Sequence, residues 1–261
     1  MVADPLIRTL IGAVLAFAVS LVGRLTHALS GSGAIAGMLL GTIAIAAGWT
    51  WGLLLVSLFL SVALLSRAGG AEKARHVEST VEKGGARDAV QVVANGAIFT
   101  VAALGNLIAP ATGWYAIAAG ALAFSAADTW ATEIGTLSSA EPYSIVSGRR
   151  VPVGTSGGVS IAGTLGAIAG ALFIAGEAMF AGWPVSFAGV ALGGIIAAVA
   201  DSLLGATLQE RRWCERCGRA TERTIHDCGA KSKINGGISG LDNDTVNAAC
   251  SVIGALIALV I

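Results

Sequence analysis

Apolar runs long enough to cross a bilayer recur from one end of this chain to the other, and nothing else in it restricts the fold so severely. A hydrocarbon core about 30 Å thick takes roughly 20 apolar residues of helix, at about 1.5 Å each. Eight spans are expected, at Leu6–Val22, Gly33–Trp49, Trp51–Leu65, Ala89–Ile108, Trp114–Ala127, Val159–Phe180, Val185–Leu204 and Thr245–Ile261. Backbone N–H and C=O groups find no water in lipid, so each run satisfies them internally as a helix. Only 12% of the 261 residues are charged, about half the roughly 25% usual in a soluble domain. The expected fold class is all-α: one polytopic integral membrane domain over residues 1–261, its 36 glycines suiting close helix approach.

Two spans need a decision. The second and third are separated only by Gly48-Trp49-Thr50-Trp51-Gly52. Joined, they would make a helix of roughly 50 Å, too long for a membrane even when tilted, so a hairpin is expected. Arg8 before an apolar stretch imitates a signal peptide, but no small-residue cleavage site follows, and the segment is read as a helix.

Charge sets the orientation. With eight spans, Arg24, Arg67, Lys73, Arg75, Lys83, Arg87, Arg149, Arg150 and every Lys or Arg between 211 and 233 fall on one side. Arg8 alone lies opposite. Basic loops stay in the cytoplasm, so the three hydrophilic loops 67–87, 128–158 and 205–243 are expected on the cytoplasmic face of a cell membrane. A net charge of zero leaves no basic excess, and no nucleic-acid partner is expected.

The second half reads as a parallel internal repeat. Ala126-Ala127-Asp128-Thr129 ends span five, and Ser156-Gly157-Gly158-Val159-Ser160 follows it. Val199-Ala200-Asp201-Ser202 ends span seven, and Asn235-Gly236-Gly237-Ile238-Ser239 follows that. Lys83-Gly84-Gly85 is a worn third copy at best.

Acids at a hydrocarbon boundary are costly and usually have a partner or a function. Asp128, Glu133, Asp201, Asp242 and Asp244 are such acids. Asp128 and Glu133 stand about 140° apart on a helix and share a face only if it ends between them. Together the five can hold Mg²⁺, which takes one or two carboxylates plus waters and substrate phosphates. For Asp244, capping of span eight with Asn247 in its first turn is an equal alternative. The run Gly154-Thr155-Ser156-Gly157-Gly158 precedes a helix start, where backbone N–H groups and the dipole favour an anion, with Arg149 and Arg150 upstream to neutralise phosphate. Asn235 and Gly236 would be its counterpart. Lys83 or Arg87 can touch phosphate, and Asn95 either cross-links helices or points at the site.

Cys214-x2-Cys217 followed by His226-x-Cys228 offers four soft ligands in fifteen residues of loop 205–243. A cytoplasmic loop disfavours disulfides, and Cys₃His suits a closed structural Zn²⁺. Cys250, inside span eight, reads as a small core residue.

Ala127-Asp128-Thr129-Trp130-Ala131-Thr132-Glu133-Ile134-Gly135, Pro152-x-Gly154-Thr155-x-Gly157-Gly158-Val159-Ser160, Asp201-Ser202-x-x-Gly205-Ala206 and Asn235-Gly236 with Leu241-Asp242-Asn243-Asp244-x-x-Asn247 together resemble one membrane family. It includes the plant chloroplast phytyl-phosphate kinase and animal transmembrane protein 19, and the likeness runs from about residue 30 onward. Lys83-Gly84-Gly85-x-Arg87-Asp88 and Gln91-x-x-x-Asn95-Gly96 also look like its pattern. The resemblance implies phosphoryl transfer from a nucleoside triphosphate, CTP in the first instance, to a prenyl monophosphate, giving the diphosphate. Asp128, Glu133, Asp201 and Asp242 would then act at the reacting phosphates with Mg²⁺. A cytidylyltransferase acting on a lipid phosphate is the alternative enzyme, and a transporter of an anionic lipid head group the alternative of another class.

Overall fold

A computed structural model describes residues 5–68, 86–138, 140–221, 224–226 and 228–261. Each expected span forms a helix: α1 (Pro5–Leu25), α2 (Gly31–Ala47), α3 (Trp49–Ala68), α4 (Ala89–Ile108), α5 (Thr112–Gly135), α6 (Ile161–Phe180), α7 (Phe187–Thr207) and α8 (Asn243–Val260). Six of the eight are long and apolar enough to cross a membrane; α2, at 17 residues, is shorter, and α5 is not among the six. The expected hairpin forms, with a link of the single residue Gly48, whose N–H closes α2 on the Ala44 carbonyl. Helix starts follow local side-chain chemistry. Ser30, Ser160 and Ser186 each accept the backbone N–H three residues on, and Asp88 and Gln91 form a reciprocal capping box.

Several helix ends differ from expectation, with consequences for the acids. Helix α5 continues eight residues past Ala127 to Gly135, and α7 continues past Leu204 to Thr207, so Asp128 and Asp201 lie within their helices rather than at the ends. The N-cap of α8 is Asp242, not Asp244: its Oδ1 accepts the Thr245 N–H at 2.9 Å and the Thr245 hydroxyl at 2.7 Å.

The all-α expectation needs one correction, because the polar loops carry two small antiparallel sheets. One pairs β1 (Tyr143–Ser144) with β2 (Gly158–Val159); the other orders β3 (Arg211–Cys214), β4 (Arg219–Thr221) and β5 (Lys233–Gly236) as β4-β3-β5. The β3–β4 turn is tight because Gly218 takes a left-handed φ of +61° and donates to the Cys214 carbonyl. The protein is mostly helical.

Helix α5 is the centre of the bundle and packs against α3, α4, α6, α7 and α8. Its residues Ala118, Ala119, Ala121, Leu122, Ala123, Phe124, Ala126 and Ala127 are wholly buried. Small residues set the helix spacing: a Cβ on Gly120 would stand 2.3 Å from the Gly254 carbonyl oxygen of α8, and one on Gly194 of α7 2.8 Å from the Ala123 backbone. Leu64, Leu165 and Phe180 point outward, as side chains facing lipid do. Trp51, Phe99, Tyr115 and Trp183 cluster, with Trp51 and Trp183 ring centroids 4.8 Å apart.

Candidate functional site

One end of the bundle gathers the polar chemistry. There Leu29, before α2, forms a β-bridge with Arg87, before α4. Gly33 permits this, since a Cβ there would meet the Arg87 carbonyl oxygen at 2.1 Å. The last turns of α3 and α5 meet where the Ser66 hydroxyl donates to Glu133 Oε1 at 2.6 Å. Gly135, ending α5, lies against Gly163 in the first turn of α6. At the opposite end, the Arg8 guanidinium donates to the Ala46 carbonyl.

Two carboxylates form the centre. Asp128 of α5 and Asp201 of α7 are in side-chain hydrogen-bonding contact, and the Cys250 thiol of α8 reaches Asp201. Like charges this close require a proton or a cation between them. The pair fits the needs of Mg²⁺, which takes few protein carboxylates and leaves positions for water and phosphate. Beside it, Arg87 Nη2 stands 3.7 Å from Glu133 Oε1 and interacts electrostatically with Asp128. Burial lowers the Arg87 pKa, and the charge of Asp128 opposes that shift; an arginine nonetheless remains a cation. Arg87 thus connects two acids that the unbroken helix α5 sets apart.

The other acids lie elsewhere on α8. Asp242 is held by its capping role and borders a polar cleft of about 320 Å³ with Gln209, Glu210, Arg212, Ser239 and Gly240. The Gly240 N–H, at 2.9 Å, draws the Glu210 pKa below its usual value, with Arg212 adding to the effect. Asp244 is buried in the first turn, and Asn247, one turn further, is 5% exposed with its Oδ1 unpartnered.

The Gly-rich segment is bound tightly to α7. Gly157 has a φ of +74°, and a Cβ there would stand 2.4 Å from Ala206 Cβ and 2.6 Å from the Ser202 carbonyl oxygen. The Ser156 hydroxyl donates to Gln209 Oε1 at 2.8 Å. Thr155 and Gly158 spend their N–H groups on the Pro152 and Thr155 carbonyls, and Gly154 turns at a φ of +83°. Arg149 and Arg150 are exposed, and Arg150 lies 5.8 Å over the Tyr143 ring. Asn235 and Gly236 sit in strand β5, Gly236 against the Arg211 guanidinium. Asn95 donates from Nδ2 to the Gln91 carbonyl, and its buried Oδ1 has no partner. Lys83 lies outside the described residues.

The cysteine cluster closes as its spacing suggests. One ligand atom from each of Cys214, Cys217, His226 and Cys228 lies within 4.8 Å of the others, so the four can hold a metal such as zinc. Cys214 Sγ is 3.6 Å from Cys228 Sγ, and His226 Nδ1 is 3.4 Å from the same sulfur. These separations suit a tetrahedron with bonds of about 2.3 Å to sulfur and 2.0 Å to nitrogen. The Ala230 N–H and then His226 pull the Cys228 thiol down to about 6. Cys217 is pushed up to about 11, first by its bond with Cys228. Among the described residues this is the single group of three or more His, Cys, Asp or Glu that converges on one point.

Cys250 is a buried core residue, as expected, and in addition reaches Asp201; Ser66 has no sequence signal, because a serine at a helix position does not announce a contact made from another helix. Asn247, expected beside Asp244 in the cap of the last helix, is instead buried within it.

Similarity to known proteins extends over most of the chain. It is 31% identical over 249 residues to Protein PGR of Arabidopsis thaliana, covering 83% of both chains. It is 29% identical over 215 residues to the uncharacterized membrane protein MJ0933 of Methanocaldococcus jannaschii, covering 80% of this chain and 86% of that one. No solved structure matches it. Residues 14–255 match the family described as integral membrane protein DUF92, and the chain belongs to that family.

Proposed function

We propose that the polar end of this bundle catalyses Mg²⁺-dependent phosphoryl transfer from a nucleoside triphosphate, CTP in the first instance, to a prenyl monophosphate. The observation that supports this most directly is the contact between Asp128 and Asp201 with Arg87 beside it. An acid pair next to a half-buried arginine, where a lipid phosphate would lie, suits a reaction governed by positioning and charge. An oxygen of the acceptor phosphate attacks the γ-phosphorus, the bond to the β-phosphate bridging oxygen breaks, and the nucleoside diphosphate leaves. The acceptor is already ionised near neutral pH, so no strong base is required.

Asp128 and Asp201 would hold the Mg²⁺, with Glu133, Asp242 and Asp244 as further candidates. When bound, the ion neutralises phosphate charge. Arg87 would orient the acceptor phosphate, and Ser66 would fix Glu133. Gly154, Thr155, Ser156, Gly157 and Gly158, with Arg149, Arg150, Asn235 and Gly236, would receive the nucleotide, and Lys83 would join Arg87. Zn²⁺ at Cys214, Cys217, His226 and Cys228 would be structural, since four protein ligands leave no open position. In this reading α5–α6 and α7–α8 are related units, residues 205–243 an insertion within one membrane domain, and the active end faces the cytoplasm.

Purified protein supplied with Mg²⁺, geranylgeranyl or phytyl monophosphate and γ-labelled CTP or ATP tests the reading. Label in a lipid diphosphate, absent with Asp128→Asn, supports it. No labelled lipid from any prenyl phosphate, in folded protein, overturns it; α-labelled CTP entering lipid would then indicate the cytidylyltransferase.

A further inference from the structure

A second cavity opens beside the carboxylate pair. It occupies about 440 Å³ between α1, α2, α3 and α4, and its two ends differ in chemistry. Arg87, Gln91, Asn95, Ser125 and Thr129 line one end, and Ile45, Trp49, Gly52 and Leu53 line the other. Along α3 the lining runs from Val62 to Trp49, a stretch of about 20 Å at the rise of a helix. A cleft of this volume lies at the lower part of the range that encloses one small ligand, about 300–1,000 Å³, and two long acyl chains exceed it.

We propose that this cleft holds the lipid substrate's single isoprenoid chain along α3, with the phosphate at Arg87. The inference rests on the function proposed above and adds where the acceptor binds and what limits its length. Three observations select this occupant. Arg87 belongs both to the cleft and to the acid cluster, so a phosphate placed there stands beside Asp128. Thr129, the residue after Asp128, lines the same end. The buried Asn95 Oδ1 lacks a hydrogen-bond donor at that end; a singly protonated phosphate or its water supplies one. An apolar floor with a cationic mouth complements an amphiphile with one tail and one anionic head.

A geranylgeranyl monophosphate carrying a diazirine at the far end of its chain tests this without nucleotide. Photolabelling of the unaltered protein in nanodiscs should attach the probe to Ile45, Trp49, Gly52 or Leu53, and unlabelled geranylgeranyl monophosphate should displace it while diacyl phosphatidic acid does not. Val56→Trp fills the cleft midway and should weaken that competition roughly tenfold or more, leaving geranyl monophosphate little changed; Leu60→Trp, facing lipid, should alter neither. Label on outward residues such as Leu64 or Leu165, or label that phosphatidic acid removes equally, overturns the proposal. Labelling in the cleft without phosphoryl transfer would reject the kinase reading and keep the binding site; transfer with labelling elsewhere would do the reverse.

Discussion

The Ser66 hydroxyl donates a 2.6 Å hydrogen bond to Glu133 Oε1, joining the last turns of α3 and α5 at the carboxylate on which Arg87 also rests. Hydrogen bonds to charged groups contribute about 1.5–3 kcal/mol. Ser66→Ala is expected to lose about that much stability, read as a lower melting temperature in detergent, whereas Ser66→Thr keeps the hydroxyl and most of the stability. Loss of diphosphate formation in Ser66→Ala, restored in Ser66→Thr, would identify Glu133 placement as the working role.

The acid pair makes a sharper prediction. Asp128→Asn and Asp201→Asn should each reduce phosphoryl transfer by roughly 100-fold or more, because each removes charge from a shared ion site. The double variant should be little worse than either single one, as expected of groups acting as a unit. Melting temperatures should hold, since the amide is isosteric and relieves the contact between like charges. Additive losses across the three variants would mean that the residues act separately.

Metal removal should act locally. Cys217→Ser is expected to lower bound zinc from about one equivalent to near zero by elemental analysis, and to expose residues 211–236 to limited proteolysis. Helices α1–α8 should stay intact by circular dichroism. Global unfolding on zinc loss would contradict a site confined to the segment that carries β3, β4 and β5 and the turns between them.

Two glycines with similar backbone angles should behave differently. Gly148 has a φ of +63° with open space around it, and Gly157 has a φ of +74° pressed against Ser202 and Ala206. Gly148→Ala should cost only the left-handed penalty of about 1–2 kcal/mol. Gly157→Ala adds displacement of α7 and should cost clearly more, to be read from paired thermal melts. Equal costs would show that the loop separates readily from α7.

The bundle is legible because hydrophobic length is a strong signal; the hairpin expected across Gly48–Gly52 forms, but Gly48 alone is the link and Trp49 to Gly52 already belong to α3. Helix ends were less legible. Asp128 and Glu133 look like the finish of a membrane span, yet α5 runs through both, because Arg87, distant in sequence, supplies the compensating charge. Asp244 has the character of an N-cap, but Asp242 takes that role and Asp244 is buried instead. The β3–β4 hairpin is not announced by apolar alternation, because its turn from Cys214 to Gly218 falls among the metal ligands. The contact of Cys250 with Asp201 depends on helix packing that no local pattern encodes.

The enclosure of α5 has a consequence for how the protein is made. An alanine-rich helix with two acids, surrounded by other helices, gains little from partitioning into lipid by itself. Six of its companions are apolar enough to enter a bilayer independently. The segment that carries Asp128 therefore depends on them for its place in the membrane, and a chain truncated after α5 should leave that helix uninserted, whereas the full chain, with α6, α7 and α8 to receive it, inserts it. Biogenesis and chemistry then share one requirement: the acid cluster comes into being at the moment the last helices dock.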